Sequence, residues 1–151
     1  MFDVLSSLSA VSEATVLDLF AGSGALGIEA LSRGASSVTF VDASRGSIEV
    51  IVDNLQRTAL FEDGRAEVVR SDALNFLRTR RIDYDLAFLD PPYRYTAWQD
   101  LLSMLHARTC VIETDRELAL PADYELHRSY RYGTTLLTVA MRLDDGPDRE
   151  P

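Results

Sequence analysis

Short apolar runs alternate along the chain with stretches whose apolar residues recur every three or four positions. Thr15 to Phe20 (TVLDLF) is apolar and stops at Ala21-Gly22-Ser23-Gly24, which predicts a buried strand and a turn. Leu26 to Ser32 predicts a helix. Val38 to Val41 (VTFV) is β-branched and aromatic, as strands are. Ile48, Ile51, Val52 and Leu55 share one helical face. Glu67 to Val69 predicts a short third strand, and Ala73 to Leu77 a helical turn. Leu86 to Leu89 (LAFL) predicts a fourth strand, cut off by Pro91 and Pro92. Trp98, Leu101, Leu102 and Leu105 form another helical face, and Cys110 to Ile112 a fifth strand. Tyr124 to Tyr130 and Leu136 to Met141 flank Tyr132-Gly133, which predicts an antiparallel hairpin.

Strands alternating with helices predict an α/β fold, with a mostly parallel sheet and helices on both faces. The closing hairpin departs from that alternation. No repeat or internal linker interrupts the pattern, so residues 1–143 are expected to form one domain. Residues 144–151 are polar, with two prolines and a glycine, and are expected to be a disordered tail.

Composition narrows the functional classes. The chain has 151 residues, 46% apolar and 26% charged, enough for a sizeable core and unlike a disordered chain. Its single cysteine, Cys110, offers no internal disulfide, and no Cys/His cluster suggests a metal site. The N-terminus lacks the basic and apolar regions of a secretory signal. No run approaches the ~20 apolar residues of a membrane span, so a cytoplasmic protein without membrane contact is expected. With 24 acidic residues against 15 basic ones, all arginine, the global field repels phosphates. Arg78, Arg80 and Arg81, or Arg128 and Arg131, could bind them locally, or could be solvated faces.

Gly22-Ser23-Gly24-Ala25-Leu26-Gly27 matches G-x-G-x-x-G between a strand and a helix. Asp42 ends the second strand twenty residues after Gly22, where a carboxylate can accept hydrogen bonds from both ribose hydroxyls of an adenosine. Together they point to an adenosine-containing cofactor. They do not separate a dinucleotide from S-adenosylmethionine. Asp18, an acid inside an apolar strand, suits a cationic ligand better than a pyrophosphate, or else braces the loop amides. Asp72, after the third strand, could accept from an adenine amino group or cap the following helix.

Asp90-Pro91-Pro92-Tyr93 follows the fourth strand, at the end where open α/β sheets bind ligands. Two prolines remove two N–H donors and leave a rigid row of acceptors. An exocyclic amine on a base is a poor nucleophile, because its lone pair is delocalised. Acceptors that hold its hydrogens aim that lone pair, so rate comes from positioning and electrostatics. Tyr93 could stack on a base that is flipped out or single-stranded.

Asp18 to Gly34 (DLFAGSGALGIEALSRG), with Val41-Asp42, Ser71-Asp72-Ala73 and Asp90-Pro91-Pro92-Tyr93, resembles the RsmD family of bacterial methyltransferases. The likeness runs from Phe2 to about Leu143. It implies a Rossmann-like class I S-adenosylmethionine-dependent fold with a seven-stranded sheet. It also implies methylation of the exocyclic N2 of a guanine in 16S rRNA, in the small ribosomal subunit or its assembly intermediate, by a monomer. By resemblance, Phe20, Ala21, Gly22, Ser23, Gly24, Asp42, Ala43, Ser44, Asp72 and Ala73 line the cofactor site, with Asp18 and Asp90 beside it. Asp90, Pro91, Pro92 and Tyr93 hold the base. Asp-Pro-Pro-Tyr also occurs in adenine-N6 DNA methyltransferases, so it fixes amino chemistry and not the base. Family members begin with an extra Gly- and Arg-rich segment leading into a helix, whose end Met1 to Leu5 resembles. The expectation is a chain lacking a basic, RNA-facing segment, which binds cofactor but methylates ribosomal substrate poorly. A dinucleotide-binding oxidoreductase domain, a methyltransferase on another amino substrate and a non-catalytic RNA-binding factor are the competing readings.

Overall fold

The computed structural model describes residues 1–60 and 63–143. The expected tail lies outside the described residues. Elements follow in the order α1 (Phe2–Ser7), β1 (Thr15–Leu19), α2 (Ala25–Ser32), β2 (Ser37–Asp42), α3 (Arg45–Arg57) and β3 (Ala66–Arg70). They continue with α4 (Ala73–Thr79), β4 (Tyr84–Leu89), α5 (Trp98–Met104), β5 (Ala107–Thr114), β6 (Tyr124–Tyr132) and β7 (Thr135–Arg142). The seven strands form one sheet in the order β3-β2-β1-β4-β5-β7-β6. β1 to β5 are mutually parallel where they pair, and β7 inserts antiparallel between β5 and β6.

Side-chain alternation divides the core between the two faces. Leu17, Leu19, Ala87, Leu89, Cys110 and Ile112 meet Phe76, Leu77, Trp98, Leu101 and Leu102 of α4 and α5. Val16, Val38, Phe40, Leu86, Phe88 and Val111 meet Leu5, Ala30, Leu31, Ile51 and Leu55 of α1, α2 and α3. Both layers are needed, because the central strands are buried on both faces.

Local chemistry sets the element ends. Ser44 caps α3 by accepting the Ser47 N–H at 3.3 Å, and Asp72 caps α4 by accepting that of Asn75 at 3.1 Å. Gly133 turns β6 into β7 with φ +59°. β5 ends beside the start of β7, with Thr114 opposite Leu136. The hairpin turn therefore reaches the same edge of the sheet as the carboxyl ends of the parallel strands. Among the described residues, no helix is long and apolar enough to cross a membrane.

Candidate active site

The loop after β1 leaves the sheet through two left-handed residues, Phe20 at φ +63° and Gly22 at φ +59°. A Cβ on Gly22 would meet nothing within 4 Å, so glycine is favoured there by the backbone conformation and not by lack of room. Asp42 fixes this loop from the neighbouring strand. One carboxylate oxygen accepts the Gly22 N–H at 2.9 Å and the other accepts that of Ser44 at 2.9 Å. Each oxygen keeps acceptor capacity for a further donor. Asn54 of α3 braces the loop from outside, donating from Nδ2 to the Ser23 carbonyl at 2.9 Å.

A cleft of about 640 Å³ opens beside the loop. Phe20, Val41, Ala73 and Pro91 give it apolar walls, and Asp42 and Asp72 give it acceptors. Tyr95 also lines it, and its buried hydroxyl has no hydrogen-bond partner. Its ring stands edge-on to Phe20 at 5.1 Å and to Trp98 at 5.3 Å. An adenosine fits this donor and acceptor set: flat apolar walls for the ring, carboxylates for the hydroxyl and amino hydrogens, and a free phenol.

A second cleft, about 250 Å³, also borders the Asp90-Pro91-Pro92 segment. Tyr93, Trp98, Glu113, Arg116 and Thr135 line it. Asp90, Pro91, Pro92 and Tyr95 belong to both clefts and form the wall between them. The Tyr95 N–H donates to the Pro92 carbonyl at 2.9 Å, closing a tight turn that fixes this wall. Tyr93 is 73% exposed and stands free at the rim.

Asp18 is 3% exposed. Strand alternation places it on the Val16 face, under α2, where it accepts the Gly27 N–H at 3.1 Å. Burial pushes its carboxyl up to about 7, against the Gly27 N–H, and the charges of Asp90 and Asp42 push it further the same way.

A family model described as conserved hypothetical protein 95 matches residues 1–141. Ribosomal RNA small subunit methyltransferase D of Escherichia coli strain K12 is 34% identical over 146 residues, covering 90% of this chain and 72% of that one. The chain belongs to the RsmD family. Among solved structures, yhhF of Escherichia coli superposes with a TM-score of 0.83 at 32% identity, covering 93% of this chain and 81% of that one. A conserved hypothetical protein of Streptococcus pyogenes superposes at 0.78 and 31%, covering 93% and 94%. The sheet order and these neighbours make the fold a Rossmann-like class I methyltransferase fold.

The residues that the RsmD resemblance singled out come together only in part. Phe20, Gly22, Asp42, Ala43, Ser44, Asp72, Ala73 and Asp90 line the larger cleft. Ala21, Ser23, Gly24 and Asp18 are not among its lining residues. Asp18 takes the bracing position under the loop, because α2 covers its face of β1. Asp72 caps α4 and lines the cleft as well, so its two readings are compatible. Arg80 is ion-paired with Glu67, and Arg78 and Arg81 sit at the far end of α4 from the clefts. Arg128 lies over the Tyr130 ring at 5.2 Å, and Tyr130 stacks with Tyr132 at 6.4 Å.

Sequence reasoning overlooked Tyr95, Glu113, Arg116, Thr135 and Asn54. Glu113 had a usable signal. It is the first acid after the apolar run Cys110-Val111-Ile112, the same position relative to its strand that singled out Asp42 and Asp90.

Proposed function

We propose that this chain transfers a methyl group from S-adenosylmethionine to the exocyclic N2 of a guanine in the RNA of the small ribosomal subunit. One observation carries the reading: two clefts share a wall made of Asp90, Pro91 and Pro92. A donor molecule on one side and an acceptor base on the other would meet there. The family relatives named as small-subunit rRNA methyltransferases support the choice of RNA.

The residues divide the work. Asp42 would hold the ribose hydroxyls, Asp72 the adenine amino group, and Phe20, Val41 and Ala73 the faces of the ring. When bound, the cofactor supplies an electrophilic methyl group. Asp90 and the Pro91 carbonyl accept the hydrogens of the target amine, and neither proline carries an N–H that could compete. The amine must lose one proton as it gains the methyl, and Asp90, which lines both clefts, would take it. Tyr93 can cover the base, since an exposed aromatic at a cleft mouth stacks on an unpaired nucleotide. Arg128 and Arg131 on the edge strand β6 have no acidic partner within ion-pair distance among the described residues. Arg128, Tyr130 and Tyr132 offer RNA a strip of one cation and two rings on one face of β6, leading to the hairpin turn, and Arg131 adds a cation on the other face.

Tritiated methyl transfer to small ribosomal subunits, naked rRNA, DNA and protein, with the modified nucleoside identified by mass spectrometry, tests this. N2-methylguanosine in small-subunit RNA is expected, and label confined to DNA or protein would overturn the reading. Asp90→Ala is expected to lower the rate by about 10²–10³-fold while cofactor binding persists.

A further inference from the structure

We propose that Glu113 selects the base: its carboxylate accepts the N1–H of the target guanine while Asp90 holds the adjacent amino group. The inference rests on the amino-directed reading above and adds to it the residue that distinguishes one amine from another.

The placement follows from strand register. β4 and β5 are parallel, with Leu89 opposite Ile112. The next residues, Asp90 just past the end of β4 and Glu113 still within β5, therefore lie side by side. Glu113 is held from its second side by β7, where it pairs with Leu137. It is half-buried and lines the second cleft together with Asp90. Asp90 borders both clefts, whereas Glu113 borders only the second, away from the cofactor side.

Two acids in that arrangement favour a ligand that brings hydrogens. Burial raises the Glu113 carboxyl above its ordinary value, and the neighbouring Asp90 carboxyl adds to the rise. Like charges side by side suppress ionisation until a donor stands between them. The pairing edge of guanine presents two donors in succession, the N2 amino group and N1–H. On adenine, the atom next to the N6 amino group is N1, an acceptor. Ionised, as an amine donor between the two acids makes it, the carboxylate cannot donate to it, so adenine would leave two lone pairs facing each other. Asp-Pro-Pro-Tyr accepts any amine, whereas the neighbouring carboxylate accepts only one flanked by a second N–H. Sites built to hydrogen-bond a substrate N–H reject analogues lacking it far more strongly than apolar pockets reject a change of shape.

The test uses the full chain and small ribosomal subunits from cells lacking the modification. The mapped nucleotide is either guanine or, through a change in the rRNA gene, adenine. Glu113→Gln is expected to lower kcat/KM on guanine subunits on the order of 100-fold. It should also narrow the guanine-over-adenine ratio at least tenfold, because an amide N–H can face adenine N1. Affinity for S-adenosylmethionine, by calorimetry, should not change. Glu113→Asp should keep the guanine preference at reduced rate. Wild-type rate and ratio in Glu113→Gln would overturn the proposal. So would a joint loss of cofactor binding and thermal stability in both variants, which would make Glu113 a support of the fold. If the unaltered protein forms no N2-methylguanosine at all, the reaction proposed in the preceding subsection fails first, and this selectivity falls with it.

Discussion

Gly27 packs so closely on Phe40 that a Cβ there would lie 2.8 Å from the ring Cζ, and 2.9 Å from Val38 Cγ1. The third glycine of the loop motif therefore serves packing: it lets α2 press onto β1 and β2. Phe40 is fully buried and has nowhere to move. Gly27→Ala is expected to cost about 1–2 kcal/mol, the overpacking penalty less the helix propensity gained. In a chain of this size that is a Tm lower by roughly 3–8 °C. Phe40→Leu is destabilising alone, and adding it to Gly27→Ala should cost less than the two separately. Additive losses in thermal unfolding would show that the two side chains do not compete for space.

Asp18 gives the protein a pH dependence of unusual sign. Its carboxyl binds a proton more tightly in the folded chain, at about 7, than in the unfolded chain, near 3.8. The stability linked to it is therefore full below about pH 4, declines as pH rises to about 7, and is constant above that. The effect should amount to a few kcal/mol at most. Asp18→Asn keeps an acceptor for the Gly27 N–H without the charge. Denaturant midpoints at pH 5, 6, 7 and 8, without ligand, should fall with pH in the original chain and flatten in this variant.

Reading the chain from residues alone recovers the sheet and most of one cleft, and the reasons are physical. β1, β2 and β4 are apolar runs ending in an acid or a glycine, and a carboxyl strand end is where a ligand is met. Asp42 and Asp90 follow from that rule. Asp18 does not, because a strand pattern shows which residues share a face without showing which helix covers it. β6 is exposed along most of its length, so only the Tyr132-Gly133 turn marked it. The second cleft was hidden for another reason. Its walls come from α5, the end of β5 and the start of β7, which sequence separation keeps far apart. Glu113 and Thr135 meet only because β7 inserts beside β5.

Asp42 is the residue on which cofactor affinity should depend most. Removing its side chain with Asp42→Ala frees the Gly22 and Ser44 N–H groups and deletes the acceptors proposed for the ribose. Charge-assisted hydrogen bonds of this kind contribute about 1.5–3 kcal/mol each. Calorimetry should show S-adenosylmethionine binding weakened by about 10–100-fold. A loss of less than threefold would place the ribose elsewhere.

RNA affinity should depend on the β6 edge. Arg128→Ala with Arg131→Ala is expected to weaken rRNA binding without changing cofactor affinity. Each lost phosphate contact should lower the slope of log K against log salt by roughly 0.7 for unpaired RNA. Filter binding across a salt series reads this directly. An unchanged slope would assign the two arginines to ordinary solvated surface.

The partition between Asp90 and Tyr95 also divides the polypeptide in time. Everything bordering the larger cleft has been translated by Tyr95, whereas its neighbour awaits Thr135. Grafting a different sequence beyond that junction could redirect the acceptor while sparing the donor pocket. Evolution of new targets on this scaffold has a natural seam.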